Sequence, residues 1–253
     1  MKRFVFAASA LTAAFFLAAC GGGSPSRNAL WDIDKNGIPA FVKNDFTKLA
    51  DIAQISRFRS GYGHDYSDAT ENCRSMKHYY APYERYLDNG TVPVYSPVDG
   101  KIVSVTDEGH GSAEGTTNKQ IRIRPDAYPA FTFVIFHTDL SGDNIRAGTK
   151  VNAGELLGYA RLRYPDLGET AHDFDIAVWV DTPGGVRYVS WFETMSDTLF
   201  ETYRSRGAAS RSDFIISRAE RDADPLVCDG SRFENGGTLP DWVTLTLPLV
   251  DFF

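Results

Sequence analysis

Between residues 92 and 181 the apolar positions come in short bursts, broken every few residues by Gly, Pro or Asp. Residues 92–96, 101–106, 119–124, 131–137 and 173–181 are each rich in β-branched and aromatic side chains, and turn formers bound them, so they read as strands. Ile121-Arg122-Ile123-Arg124 alternates strictly, as antiparallel sheet with one wet face requires. In the last run Phe174, Ile176, Val178 and Val180 share one parity with His172, which leaves Asp173 and Asp175 facing the other way, toward a cleft. His137 ends a run in which Phe131, Phe133 and Ile135 share its side, a position that suits either a core-edge histidine or a cleft residue.

The flanks read differently. Over residues 45–58 the apolar positions Phe46, Leu49, Ile52, Ala53 and Ile55 come close to helical spacing and predict a short amphipathic helix. Ser190-Trp191-Phe192-Glu193 is a capping box, and Trp191, Met195, Leu199 and Tyr203 recur every fourth residue up to Gly207, which predicts a helix of about four turns. Its aromatic stripe is core. Residues 73–86 hold His78 among four tyrosines and read as a packed subdomain. The sequence thus predicts a mainly β fold with short N-terminal and C-terminal helices.

Asp32-Ile33-Asp34-Lys35-Asn36-Gly37 matches half of a calcium loop. Lys43 in the twelfth place, where a bidentate Glu belongs, and Pro39 within the loop make it a turn instead.

The first residues stand apart. Lys2 and Arg3 precede an uncharged apolar run over residues 4–19, short for a membrane span and fitting for a signal-peptide core. Leu17-Ala18-Ala19-Cys20 resembles a bacterial lipobox, which implies lipidation of Cys20 and a mature protein tethered to a membrane through residues 20–30. Glycine after that cysteine resembles the outer-membrane sorting pattern, so the expected location is the periplasmic face of the outer membrane. Without the leader, 24 basic residues face 33 acidic ones, a charge of −9 that disfavours nucleic acid or anionic lipid as a main partner. Membrane contact is expected through the lipid alone. Cys73 and Cys228 remain, an even pair that predicts one disulfide in an oxidising compartment.

Candidate chemistry concentrates in Gly61-Tyr62-Gly63-His64-Asp65-Tyr66-Ser67-Asp68, where His64, Asp65 and Asp68 follow two glycines. Further on come Ser96-Pro97-Val98-Asp99-Gly100-Lys101-Ile102-Val103, then Ile135-Phe136-His137-Thr138, then residues 148–158 with Gly148, Val151, Gly154 and Gly158, and last Ala171-His172-Asp173-Phe174-Asp175. In this order they resemble the "aPadGkV", "YxHL", "GxxVxxGxxiG" and "HxHFE" elements of the lysostaphin-type M23 metallopeptidase domain. The likeness covers roughly residues 60–182. It implies an antiparallel β core of barrel-sandwich type over residues 91–190, with residues 31–90 carrying the ligand loop and 191–253 packed behind.

In that family an H-x-x-x-D pair and the second His of H-x-H bind zinc, while the other His and the "YxHL" His assist catalysis. The resemblance therefore implies His64, Asp68 and Asp173 as metal ligands and His137 and His172 as catalytic residues. Zinc is the implied metal, with manganese or none as alternatives, because carboxylates admit harder cations. The ligand motif can also be laid on Gly61–Tyr66, which costs it the histidine, and a bulge could turn His172 inward. Three functions stay open: a divergent metallopeptidase cutting peptidoglycan cross-bridges with a metal-activated water, an inactive domain that binds peptidoglycan or regulates a partner hydrolase, or a structural envelope lipoprotein that uses the domain only as a scaffold. Residues 93–103 and 148–158 also resemble biotinyl or lipoyl carrier hairpins, but no lysine stands at a hairpin tip.

Overall fold

Strand β11 sets the architecture. The computed structural model describes residues 29–108, 118–165 and 167–247. Within them β1 (Ile52–Ser56), β2 (His78–Pro82), β3 (Pro93–Tyr95), β4 (Gly100–Asp107), β5 (Asn118–Pro125), β6 (Phe131–Leu140), β7 (Lys150–Val151) and β8 (Leu156–Ala160) precede the small hairpin of β9 (Arg163–Tyr164) and β10 (Glu169–Thr170). Then come β11 (Phe174–Thr182), β12 (Gly185–Val189), the hairpin of β13 (Cys228–Asp229) and β14 (Arg232–Phe233), and β15 (Trp242–Thr244). The main sheet runs β15-β1-β2-β11-β6-β5-β4-β7, with β8 joining β6 to β3. Every ladder between these strands is antiparallel. The expected mainly β class is what the chain adopts.

Along β11, Phe174, Ile176, Val178 and Val180 are fully buried in the main core, as their alternation requires. Its two edges are shared out by length. β2 pairs with residues 174–176 and β12 with 178–182 on one side, while β6 takes residues 176–180 on the other. The opposite face carries a small apolar cluster of Val134, Phe136 and Ala177, over which Tyr66 and Trp179 pack.

Residues 45–58 do not form the expected amphipathic helix. A short 3-10 turn at Leu49–Asp51 leads into β1, with Phe46, Ile52 and Ile55 buried. β1 lies between β15 and β2, and these neighbours give its backbone partners on both edges. Tertiary pairing outweighs a marginal helical period, since a helix this short has little stability of its own.

The expected four-turn helix is two helices. α1 (Ile33–Asn36) lies in the former calcium-like segment, which Asp32 caps. After the Ser190/Glu193 capping box, α2 (Trp191–Thr194) stops at Met195, whose ψ of 140° is extended, and Ser196 caps α3 (Asp197–Arg204). The break is held by a bridge to Val42, because Ser196 N–H donates to its carbonyl at 2.8 Å. Trp191, Met195, Leu199 and Tyr203 are nevertheless all buried. α4 (Arg218–Ala223) follows, and the Cys73–Cys228 disulfide ties the C-terminal segment to the loop before β2. Among the described residues no helix is long and apolar enough to cross a membrane. Cys20 lies outside the described residues.

Candidate functional site

The cleft floor is built where β2, β6 and β11 meet on the face away from the main core. Asp175 stands opposite Tyr79 in the β11–β2 ladder, so two strands with apolar cores on one side present Asp175, Tyr79 and the preceding Lys77 on the other. Lys77 Nζ lies 2.5 Å from Asp175 Oδ2, and both side chains are out of solvent. The same Nζ sits 4.4 Å from the ring centre of Phe136, 4.9 Å from Tyr66 and 5.0 Å from Tyr79. A buried charge pair of this kind is held by its geometry and by the ring quadrupoles around the cation.

His137 reaches this floor through a backbone irregularity. Parity with Phe131, Phe133 and Ile135 would send it into the core, yet the β5–β6 register shifts between Lys119 and Ile121 and His137 takes φ 52°. That left-handed turn is a bulge, which re-aims the side chain to the cleft face. His137 Nε2 then lies 3.5 Å from Asp175 Oδ1, and Nδ1 lies 3.3 Å from Tyr164 Oη and 3.9 Å from Glu108. Burial raises the Glu108 carboxyl, partly offset by His137, and pushes the Tyr164 hydroxyl up to about 12.

Asp173 stands at the rim. Tyr62 Oη donates to its Oδ2 at 2.6 Å, and burial, with the Asp175 charge nearby, raises its carboxyl to about 6 despite that bond. The Tyr62 loop owes its path to Gly63, at φ 78°, where a Cβ would lie 2.1 Å from Tyr79 Oη. Residues far along the chain hold the loop from outside. Gly61 N–H donates to Asp241 Oδ1 at 2.7 Å, Asp65 N–H to Ser231 O at 2.7 Å, and Arg221 Nε to Arg59 O at 2.9 Å.

The other expected site residues do not join His137 and Asp173 in one ligand set. Asp68 accepts from Thr70 N–H and Oγ1 and from Tyr188 N–H, with Arg187 3.4 Å away. Burial alone would raise its carboxyl, but these bonds and the Arg187 charge outweigh it and hold it low, so Asp68 is an anchor for β12. His64 is exposed, with Nδ1 2.9 Å from the Asp65 carbonyl, and burial of part of its ring together with the Lys77 charge lowers its pKa. His172 is exposed too, beside Ala53, Gln54, Pro82 and Leu87. From Phe174 onward the ladders of β11 to β2, β6 and β12 run without a register shift, and His172 lies just before the strand. Of the expected set, His137 and Asp173 share the cleft.

Zinc requires donors converging within about 2.0–2.3 Å of one point. Among the described residues no three His, Cys, Asp or Glu side chains are grouped to hold a metal ion. Asp68 is held by Thr70 and Tyr188, Asp173 is engaged by Tyr62, and an ammonium sits against Asp175 Oδ2. The residues present do not fit the metal.

Sequence reasoning missed Lys77, Tyr62, Tyr79, Glu108 and Tyr164. A signal existed for Lys77: it precedes a strand whose His78 and Tyr80 are core, so its parity put a lysine on the Asp175 face.

No family model matches the chain, and no curated protein matches its sequence. Among solved structures, one crystal structure of Csd3 from Helicobacter pylori matches with a TM-score of 0.41 and 14% identity, over 62% of this chain and 35% of that one. A second crystal form of the same protein matches with a TM-score of 0.36 and 12% identity, over 66% and 40%. The chain therefore spans well under half the length of these neighbours.

Proposed function

We propose that this chain is a cell-envelope lipoprotein whose M23-like cleft binds peptidoglycan, or presents itself to a partner murein hydrolase, without cutting a peptide bond. The observation that carries this reading is the dispersal of the implied metal ligands: His64 exposed, Asp68 bound to β12, and Asp173 hydrogen-bonded to Tyr62. Hydrolysis by a metal-activated water needs three donors and an open position at one point. The order of the M23-like motifs and the lipobox-like leader support the murein assignment and the anchored location.

The test is a pull-down on purified sacculi with and without EDTA, followed by analysis of released muropeptides. Binding that survives chelation, with no muropeptide release, is the expected result. Release that EDTA abolishes would restore the metallopeptidase reading, and failure to sediment with sacculi would remove peptidoglycan as the ligand.

A further inference from the structure

Lys77 and Asp175 are 3% and 0% exposed. A buried ammonium is costly unless it is paired, and here four separate segments do the pairing: Asp175 from β11, Phe136 from β6, Tyr66 from the loop and Tyr79 from β2. Around them stand Asp173, Glu108 and His137, which sets three carboxylates beside the Lys77 ammonium among the described residues. Neither Asp175 oxygen makes a regular hydrogen bond among the described residues: Oδ2 is held by the Lys77 ion pair, and Oδ1 faces His137 Nε2 across 3.5 Å. This surplus of negative groups is what a divalent ion would otherwise neutralise.

We infer that Lys77 is the resident cation of the cleft and the residue that excludes a divalent metal ion from it. The Lys77 ammonium already sits against Asp175 Oδ2, and a divalent cation on either oxygen of this carboxylate would be repelled by it at short range. Unlike zinc, a tethered ammonium has no open coordination position and cannot acidify a bound water. The inference rests on the reading of this cleft as non-hydrolytic, and it explains how the floor stays assembled without a metal.

Thermal melts and elemental analysis of the purified full chain test it, with no murein present. The wild type is expected to carry no stoichiometric zinc or manganese, and its Tm should not respond to zinc, manganese or EDTA. Lys77→Ala should lower Tm by about 10 °C, the loss that follows from breaking a buried pair in a chain of this size. Ethylammonium chloride, zinc or manganese should then raise it again, because the vacated space and the unpaired Asp175 accept a cation, whereas equal sodium chloride should not. A combined Lys77→Met and Asp175→Asn variant, which removes both charges, should melt within a few degrees of wild type and ignore all these cations.

Stoichiometric zinc in the wild type overturns the inference, as does a Lys77→Ala variant indifferent to every cation. If Lys77→Ala does not fold, the double variant decides, and its own failure to fold or its binding of metal counts against the inference. A wild type that holds no metal yet ignores sacculi would sink the peptidoglycan reading alone.

Discussion

Asp173 illustrates how a single side chain links the cleft to stability. Its carboxyl titrates near 6 in the folded chain, above the ordinary value of 3.8, because burial disfavours the charged form. A raised folded value means that the contribution to stability is complete below the unfolded pKa and is lost as pH rises through about 6. Asparagine cannot ionise. The Tm of Asp173→Asn relative to wild type should therefore grow between pH 4 and pH 7, by a shift worth at most about 3 kcal/mol. A Tm difference that stays constant over this range would show that Asp173 is solvated in solution. His78 is a residue of the opposite kind, fully buried between Ser56 O and Ser190 Oγ at 2.8 Å each and lowered by burial to about 4. The parity of residues 174–180 made Asp173 and Asp175 legible as cleft residues. The role of Lys77 was not, because nothing in a local pattern says which carboxylate across a sheet a lysine will meet.

At the level of elements, local signals were readable wherever they were self-contained. The Ser190 capping box needs only residues 190–193, and it forms as read. Where an element ends depends on distant partners: the helix behind that cap breaks because Val42 pairs with Ser196, and β1 forms because β15 and β2 flank it. The bulge at His137 belongs to the same class, since strand parity alone predicts the wrong face. Ser190 offers a measurement. Its hydroxyl accepts from Phe192 N–H and lies 2.8 Å from His78 Nε2, so Ser190→Ala removes a cap and orphans a buried imidazole nitrogen. The expected loss is about 2 kcal/mol, or a Tm fall of about 4–8 °C. A variant that melts with the wild type would mean that this cap is redundant.

For the whole molecule, the cysteine count foretold the one long-range tie the sequence could reveal. The disulfide closes a loop with a separation of 155 residues, which in the chain-entropy account is worth about 5 kcal/mol. Cys73→Ser with Cys228→Ser, or reduction, should lower Tm by about 10–20 °C. Melting unchanged by reductant would mean that non-covalent contacts suffice to hold the C-terminal segment, among them Arg74 Nη2 to Asp222 at 2.9 Å and the β15–β1 ladder.

The fastening of the Tyr62 loop also bears on how the chain is made. Asp241, which holds the Gly61 N–H, is synthesised 180 residues after it. At roughly 5–20 residues per second this separates the two by on the order of 10–40 s. Even after Asp173 and Asp175 have been made, the Tyr62 loop that meets Asp173 still lacks this fastening until Asp241 follows. The wall of the cleft is thus finished by a residue made long after the loop it fastens, so a chain cut short before Asp241 lacks that fastening.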